Sequence, residues 1–110
     1  MINIVVFNKK KRDYYIGFEM KGHAGFEVVG QDIVCAAVSI LSINTVNSIE
    51  KFTNDKLVCK TRKNGGYLKF KVKGVPSDET KLLLKSMILG LTEIVKEYGN
   101  EYIQIIFKEV

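Results

Sequence analysis

The chain has 110 residues, 46% of them hydrophobic and 26% charged, with one proline and no low-complexity tract, so a single globular domain spanning 1–110 is expected. The formal net charge of +5, from 17 basic and 12 acidic residues, permits contact with nucleic acid or the ribosome without demanding it. The apolar start MINIVVF precedes the basic run NKKKRD, the reverse of a secretory signal, and no apolar run approaches the roughly 18 residues of a membrane span. Two cysteines without a secretion signal point to a reduced, cytoplasmic protein rather than a disulfide scaffold.

In chain order, Met1 to Phe7 is a β-rich apolar run that reads as an interior strand. After the charged turn NKKKRD, Tyr14 to Lys21 alternates, with Ile16, Phe18 and Met20 on one side and Gly17, Glu19 and Lys21 on the other, and pairs with the first run as a hairpin. Gly22 to Gln31 carries three glycines and no period, and reads as a loop. From Asp32 the spacing of Ile33, Val34, Ala37, Val38, Leu41, Thr45 and Ile49 is helical, with Asp32 as N-cap and an end near Phe52. Lys56 to Thr61 and Tyr67 to Lys73 alternate as two strands around the turn signal Asn64-Gly65-Gly66. Ser77 is placed to cap a second helix, with Asp78 and Glu79 in its first turn. The buried stripe of that helix is Leu84, Met87, Ile88, Leu91, Ile94, Val95 and Tyr98, and Gly99 ends it. Glu101 to Phe107 forms a last strand. The order β-β-α-β-β-α-β, with one broad apolar stripe per helix, predicts an α+β fold with a single mixed β-sheet and two helices.

The chemistry gathers between Gly22 and Ser39. If Asp32 caps the helix, Cys35 rides its first turn near free N–H groups and the positive end of the dipole, which favours thiolate. The Asp32 carboxylate opposes this. His23 is the only histidine in the chain, held in a Gly-His-Ala-Gly turn where Gly22 and Gly25 allow positive φ. An imidazole can share the thiol proton near neutral pH, so His23 and Cys35 form a candidate base and nucleophile. Cys35, Ser39 and Ser42 fall at i, i+4 and i+7; the serines serve either the site or hydrogen bonds back to the helix backbone. Cys59, in mid-strand, reads as inert packing. One histidine and two cysteines fall short of a structural zinc site, and Gly22-His-Ala-Gly25 lacks the lysine of a phosphate loop, so no metal or cofactor is expected. Lys60, Arg62, Lys63, Lys69, Lys71 and Lys73 form a basic stripe near Tyr67, suited either to RNA or to guarding a sheet edge against aggregation.

The stretch GHAGFEVVGQDIVCAAVSIL closely resembles the signature of the bacterial ribosomal-processing cysteine protease family (Prp, the YsxB-like proteins). The likeness holds at Gly22, His23, Ala24, Gly25, Gly30, Asp32, Ile33, Val34, Cys35, Ala36, Ala37, Val38 and Ser39, and extends to the length and element order of the whole chain. The resemblance implies a homodimeric cysteine endopeptidase with Cys35 as nucleophile and His23 as general base. Its substrate would be the short N-terminal extension of a large-subunit ribosomal protein, cut after phenylalanine and before alanine. Asp32 and Ser39 are candidates for supporting roles, and the glycine-rich loop with Gly22, Gly25, Phe26 and Gly30 for closing over the peptide.

Overall fold

The computed structural model describes residues 1–22, 29–62 and 66–110, and for 29–32 the backbone alone. His23, Gly25, Phe26, Lys63, Asn64 and Gly65 lie outside the described residues. The elements are β1 (Ile2–Asn8), β2 (Tyr15–Lys21), α1 (Val29–Phe52), β3 (Leu57–Thr61), β4 (Tyr67–Val72), α2 (Asp78–Tyr98) and β5 (Ile103–Glu109). They form the expected α+β fold: one five-stranded sheet in the order β3-β4-β2-β1-β5, with both helices contributing to one core. The sheet is mixed because β1 pairs antiparallel with β2 and parallel with β5, while β4 pairs antiparallel with β2 and β3.

Alternation sorts the strands into two faces. Ile2, Ile4, Val6, Phe18, Met20, Phe70, Val72 and Ile103 meet Val34, Val38, Val46 and Ile49 of α1 and Leu84, Met87, Ile88 and Leu91 of α2 in one core cluster. Each such side chain, fully buried, contributes roughly 1.5–3 kcal/mol relative to exposure. Gly17 is required where β2 meets β4, because a Cβ there would run into the Phe70 carbonyl oxygen.

Three sequence readings are corrected by the packing. The helical turn continues back through Gln31, Gly30 and Val29, so Asp32 lies inside α1 and does not cap it. Cys35 therefore sits in the second turn, where its amide joins the i→i−4 ladder rather than facing a ligand. The buried stripes are also narrower than their periods suggested: Ile33 is 47% exposed and Tyr98 40%. Finally, Ile33–Phe52 is long and apolar enough to cross a bilayer, contrary to the expectation that no such run exists. In the fold its inner face packs on the sheet through Val34, Val38, Val46 and Ile49, as the core helix of a folded domain does.

The start of α2 is tied to the chain before β3 by Asp55. Its Oδ2 accepts from the Ser77 amide (3.0 Å), the Ser77 hydroxyl (2.8 Å) and the Thr80 hydroxyl (2.6 Å), while Ser77 Oγ accepts from the Thr80 amide as N-cap. Partial burial pushes the Asp55 carboxyl up, but the hydrogen bonds from Thr80 and Ser77 together outweigh it and hold its pKa below the usual value. A depressed carboxyl stabilises the fold above its unfolded pKa, and that contribution fades as pH falls through the folded one. Asp55→Ala should cost about 1–2 kcal/mol at neutral pH, measured by urea unfolding, and the gap from the parent should close in acid. An unchanged midpoint at neutral pH would show the network to be dispensable.

Candidate active site

Cys35 is half-buried on α1 and opens into a cavity of about 340 Å³ between that helix and the β3–β4–β2 side of the sheet. Apolar side chains from Ile2, Met20, Val38 and Leu68 form much of its wall, with Arg62, Gly66 and Tyr67 at the β3–β4 end. The volume lies at the lower end of ligand pockets and suits one or two side chains of a bound chain. Gly22, at the end of β2, also lines it, and this is where the chain departs towards His23.

Gly22 has φ +100°, and a Cβ on it would fall on the Met1 carbonyl oxygen. Its amide donates to the Gly66 carbonyl at 2.9 Å, fastening the end of β2 to the start of β4. The positive φ expected from the Gly-His-Ala-Gly turn is thus present at its first residue.

The two serines of the α1 stripe divide. Ser42 is buried and donates to the Val38 carbonyl at 2.8 Å, the backbone role. Ser39 is exposed, lines the cavity one helical turn from Cys35, and makes no side-chain hydrogen bond among the described residues. Of the candidate residues, then, Gly22, Cys35 and Ser39 meet at one cavity. Gly30 and Asp32 belong to the backbone of α1, Asp32 one turn before Cys35.

The β3–β4 end was missed in the sequence. Tyr67 Oη donates to Glu19 Oε2 at 2.6 Å, and the Arg62 guanidinium carbon stands 4.3 Å from the centre of the Tyr67 ring. The hydrogen bond from Tyr67 holds the Glu19 carboxyl below its usual range against partial burial, helped by Lys21, Lys69 and Arg62. The same bond pushes the Tyr67 hydroxyl up. The nearness of Arg62 to Tyr67 in the basic stripe was legible beforehand, but the bond to Glu19 was not, because it joins residues 48 positions apart.

Cys59 is a further correction. It is exposed rather than packed, because β3 is an edge strand. Partial burial of its sulfur and the nearby Glu50 carboxylate push its thiol pKa up, which disfavours the reactive thiolate.

A half-buried thiol opening into an apolar cleft, on a two-layer α+β domain, fits the class of cysteine-dependent hydrolases of peptide bonds. Comparison with known proteins makes the class specific. The profile of the family described as Cysteine protease Prp matches residues 1–104, and the chain belongs to that family. It is 35% identical over 89 residues to the Ribosomal processing cysteine protease Prp of Staphylococcus aureus strain Mu50, covering 81% of this chain and 83% of that one. With the protein of the same name from Bacillus subtilis strain 168 it shares 32% identity over 77% of this chain and 80% of the other. A crystal structure of the S. aureus protease with a covalently linked product peptide superposes with a TM-score of 0.87 at 30% identity, covering 98% and 100% of the two chains.

Proposed function

We propose that this cysteine protease removes the short N-terminal extension of a large-subunit ribosomal protein in the cytoplasm, cutting after phenylalanine and before alanine. The observation that carries the reading is that Cys35, and not Cys59, opens into the apolar cavity. The names of the relatives, and the covalent product peptide on the S. aureus protein, support it.

In this mechanism His23 takes the proton of the Cys35 thiol, and the sulfur attacks the scissile carbonyl carbon to give a tetrahedral intermediate. The imidazolium then passes the proton to the leaving amine as the C–N bond breaks, leaving a thioester on Cys35. His23 next takes a proton from water, whose oxygen attacks the thioester, and returns it to the departing sulfur. Ser39 offers a hydroxyl in the same cavity for the developing oxyanion. Asp32, preceding Cys35 by one turn, is the candidate for a supporting role. The walls of Ile2, Met20, Val38 and Leu68 accept the apolar side chain before the cut bond. A homodimer is part of the proposal, supported by Ile40, Leu82 and Leu89, large apolar side chains left exposed on the helices.

The test is cleavage of a synthetic extension peptide containing a single Phe-Ala bond, read by mass spectrometry. Products ending in phenylalanine and beginning with alanine are expected, and His23→Ala should lower kcat/KM by at least about 10³-fold. Cleavage elsewhere would sink the specificity, and full activity in His23→Ala would sink the Cys–His pair.

A further inference from the structure

The face of the sheet turned away from the helices is strongly basic, and the strand order shows that sheet-edge protection does not account for it. By register, Lys60 pairs with Lys69, Lys69 with Glu19, Lys71 with Gly17, Lys21 with Asn3 and Lys108 with Phe7, so all five lysines share this outer face. Glu19 is the one acidic residue among the described strand positions on that face, giving 5 − 1 = +4 of the chain's +5. Lys60 lies on the edge strand β3, where a guarding role is reasonable. Lys69 and Lys71 lie on β4, which is flanked by β3 and β2 and exposes no edge.

These charges are only partly compensated by the protein, through Glu19 and the Phe7 ring. Directly opposed like charges such as Lys60 and Lys69 destabilise a sheet. The ammonium groups of Lys69 and Lys71 stand 5.9 and 5.6 Å from the centre of the same Phe7 ring. Phe7 lies on the outer face yet is only 8% exposed. Glu19 is engaged by Tyr67 and, at 3.8 Å, by Lys21. Among the described residues none of Lys60, Lys69 and Lys71 has a carboxylate within ion-pair distance.

We propose that this face binds RNA through its phosphate backbone. Charge complementarity selects a polyanion, and the spacing suits a repeating one: alternate lysines on β4 are separated by about 6.6 Å and neighbouring strands by about 4.8 Å. A lipid surface fits less well, because membrane-seated faces mix basic and large apolar residues. Here Ile106, opposite Val5, is the large apolar strand residue exposed on the lysine face, whereas Ile40, Leu82 and Leu89 are on the helices, on the opposite side of the domain. The cavity holding Cys35 opens between α1 and the inner face of the sheet and meets the outer face only at its Tyr67 end, so RNA over Lys60, Lys69 and Lys71 leaves the Cys35 end free. The enzyme would thereby be held near RNA-bearing particles while its cleft stays free.

The experiment is fluorescence anisotropy with a labelled single-stranded RNA of about 20 nucleotides, titrated between about 50 and 200 mM salt. The full chain should bind with a steep negative slope of log affinity against log salt. Lys60→Gln/Lys69→Gln/Lys71→Gln should flatten that slope by about 2, since each phosphate contact on single strands contributes about 0.7. Lys81→Gln/Lys85→Gln/Lys96→Gln on α2 removes equal charge elsewhere and should leave RNA binding intact. Both triple variants should keep peptide cleavage at the parent rate, which also reports that they fold. The proposal is overturned if the parent fails to bind at low salt, if the two triple variants lose affinity equally, or if phosphatidylserine-containing vesicles bind while RNA does not.

Discussion

Cys35→Ala should abolish peptide cleavage, with kcat falling at least about 10⁴-fold, while Cys59→Ala should retain it within about twofold. The asymmetry follows from where the two sulfurs stand. Cys35 faces an apolar cleft with Ser39 beside it on the helix and Gly22 across from it, so an incoming carbonyl can be seated against it. Cys59 is in the open on the edge strand, and both desolvation and the Glu50 carboxylate oppose its ionisation. Exposure alone would rank the two thiols the other way round. Peptide cleavage followed by chromatography distinguishes them: residual turnover of Cys35→Ala above about one-tenth of the parent would remove Cys35 from the nucleophile's place. Intact binding of an uncleavable peptide by Cys35→Ala would confine the loss to chemistry.

Gly22→Ala should be the most damaging single methyl group near the site. It combines two independent penalties. An L-residue at φ +100° is strained by about 1–3 kcal/mol, and the added Cβ would fall on the Met1 carbonyl, a backbone atom that cannot rotate away. Relief requires β2 to part from β1 or to give up the Gly22–Gly66 hydrogen bond. We expect a loss of about 2–4 kcal/mol in unfolding free energy together with a fall in cleavage of at least about tenfold even where the variant remains folded, because the residue that follows is His23. Chemical denaturation and kinetics on the same sample check both parts. Parent-like stability and activity would mean that the turn tolerates a side chain. Gly74→Ala is the useful contrast, since it has a positive φ of +79° but nothing within 4 Å of the added methyl.

Much of this was readable from residue order, and the parts that were not share a cause. The period-2 and period-3.6 patterns placed all seven elements, because hydrophobic spacing is local information. Ser77 and Gly99 identified the ends of α2 correctly, since caps are decided within a few residues. Asp32 misled for the same reason: it is a good cap residue, but nothing local stopped the helix from taking another turn before it. Strand order is not local. It turned Cys59 from core to surface, moved Lys69 and Lys71 off the edge, and brought Tyr67 to Glu19. Asp55 was missed because its partners lie 22 and 25 residues onward. Of the candidate site, the Gly-His-Ala-Gly to Asp-Ile-Val-Cys stretch pointed to Gly22 and Cys35, which do line one cavity; its apolar walls were not legible, since they come from four separate elements.

The parallel pairing of β1 with β5 also sets a timetable. Ile2 lies beside Ile103, across 103 − 2 = 101 positions of chain, so one side of β1 has no partner until the last strand has been synthesised. Contacts this remote close slowly, because the loop entropy is lost before any pairing is gained. Ile2 is both a core residue and a wall of the cleft beside Cys35. β5 thus acts on the cleft at one remove: it lines none of the cavity, yet it holds the strand that carries Ile2 in place.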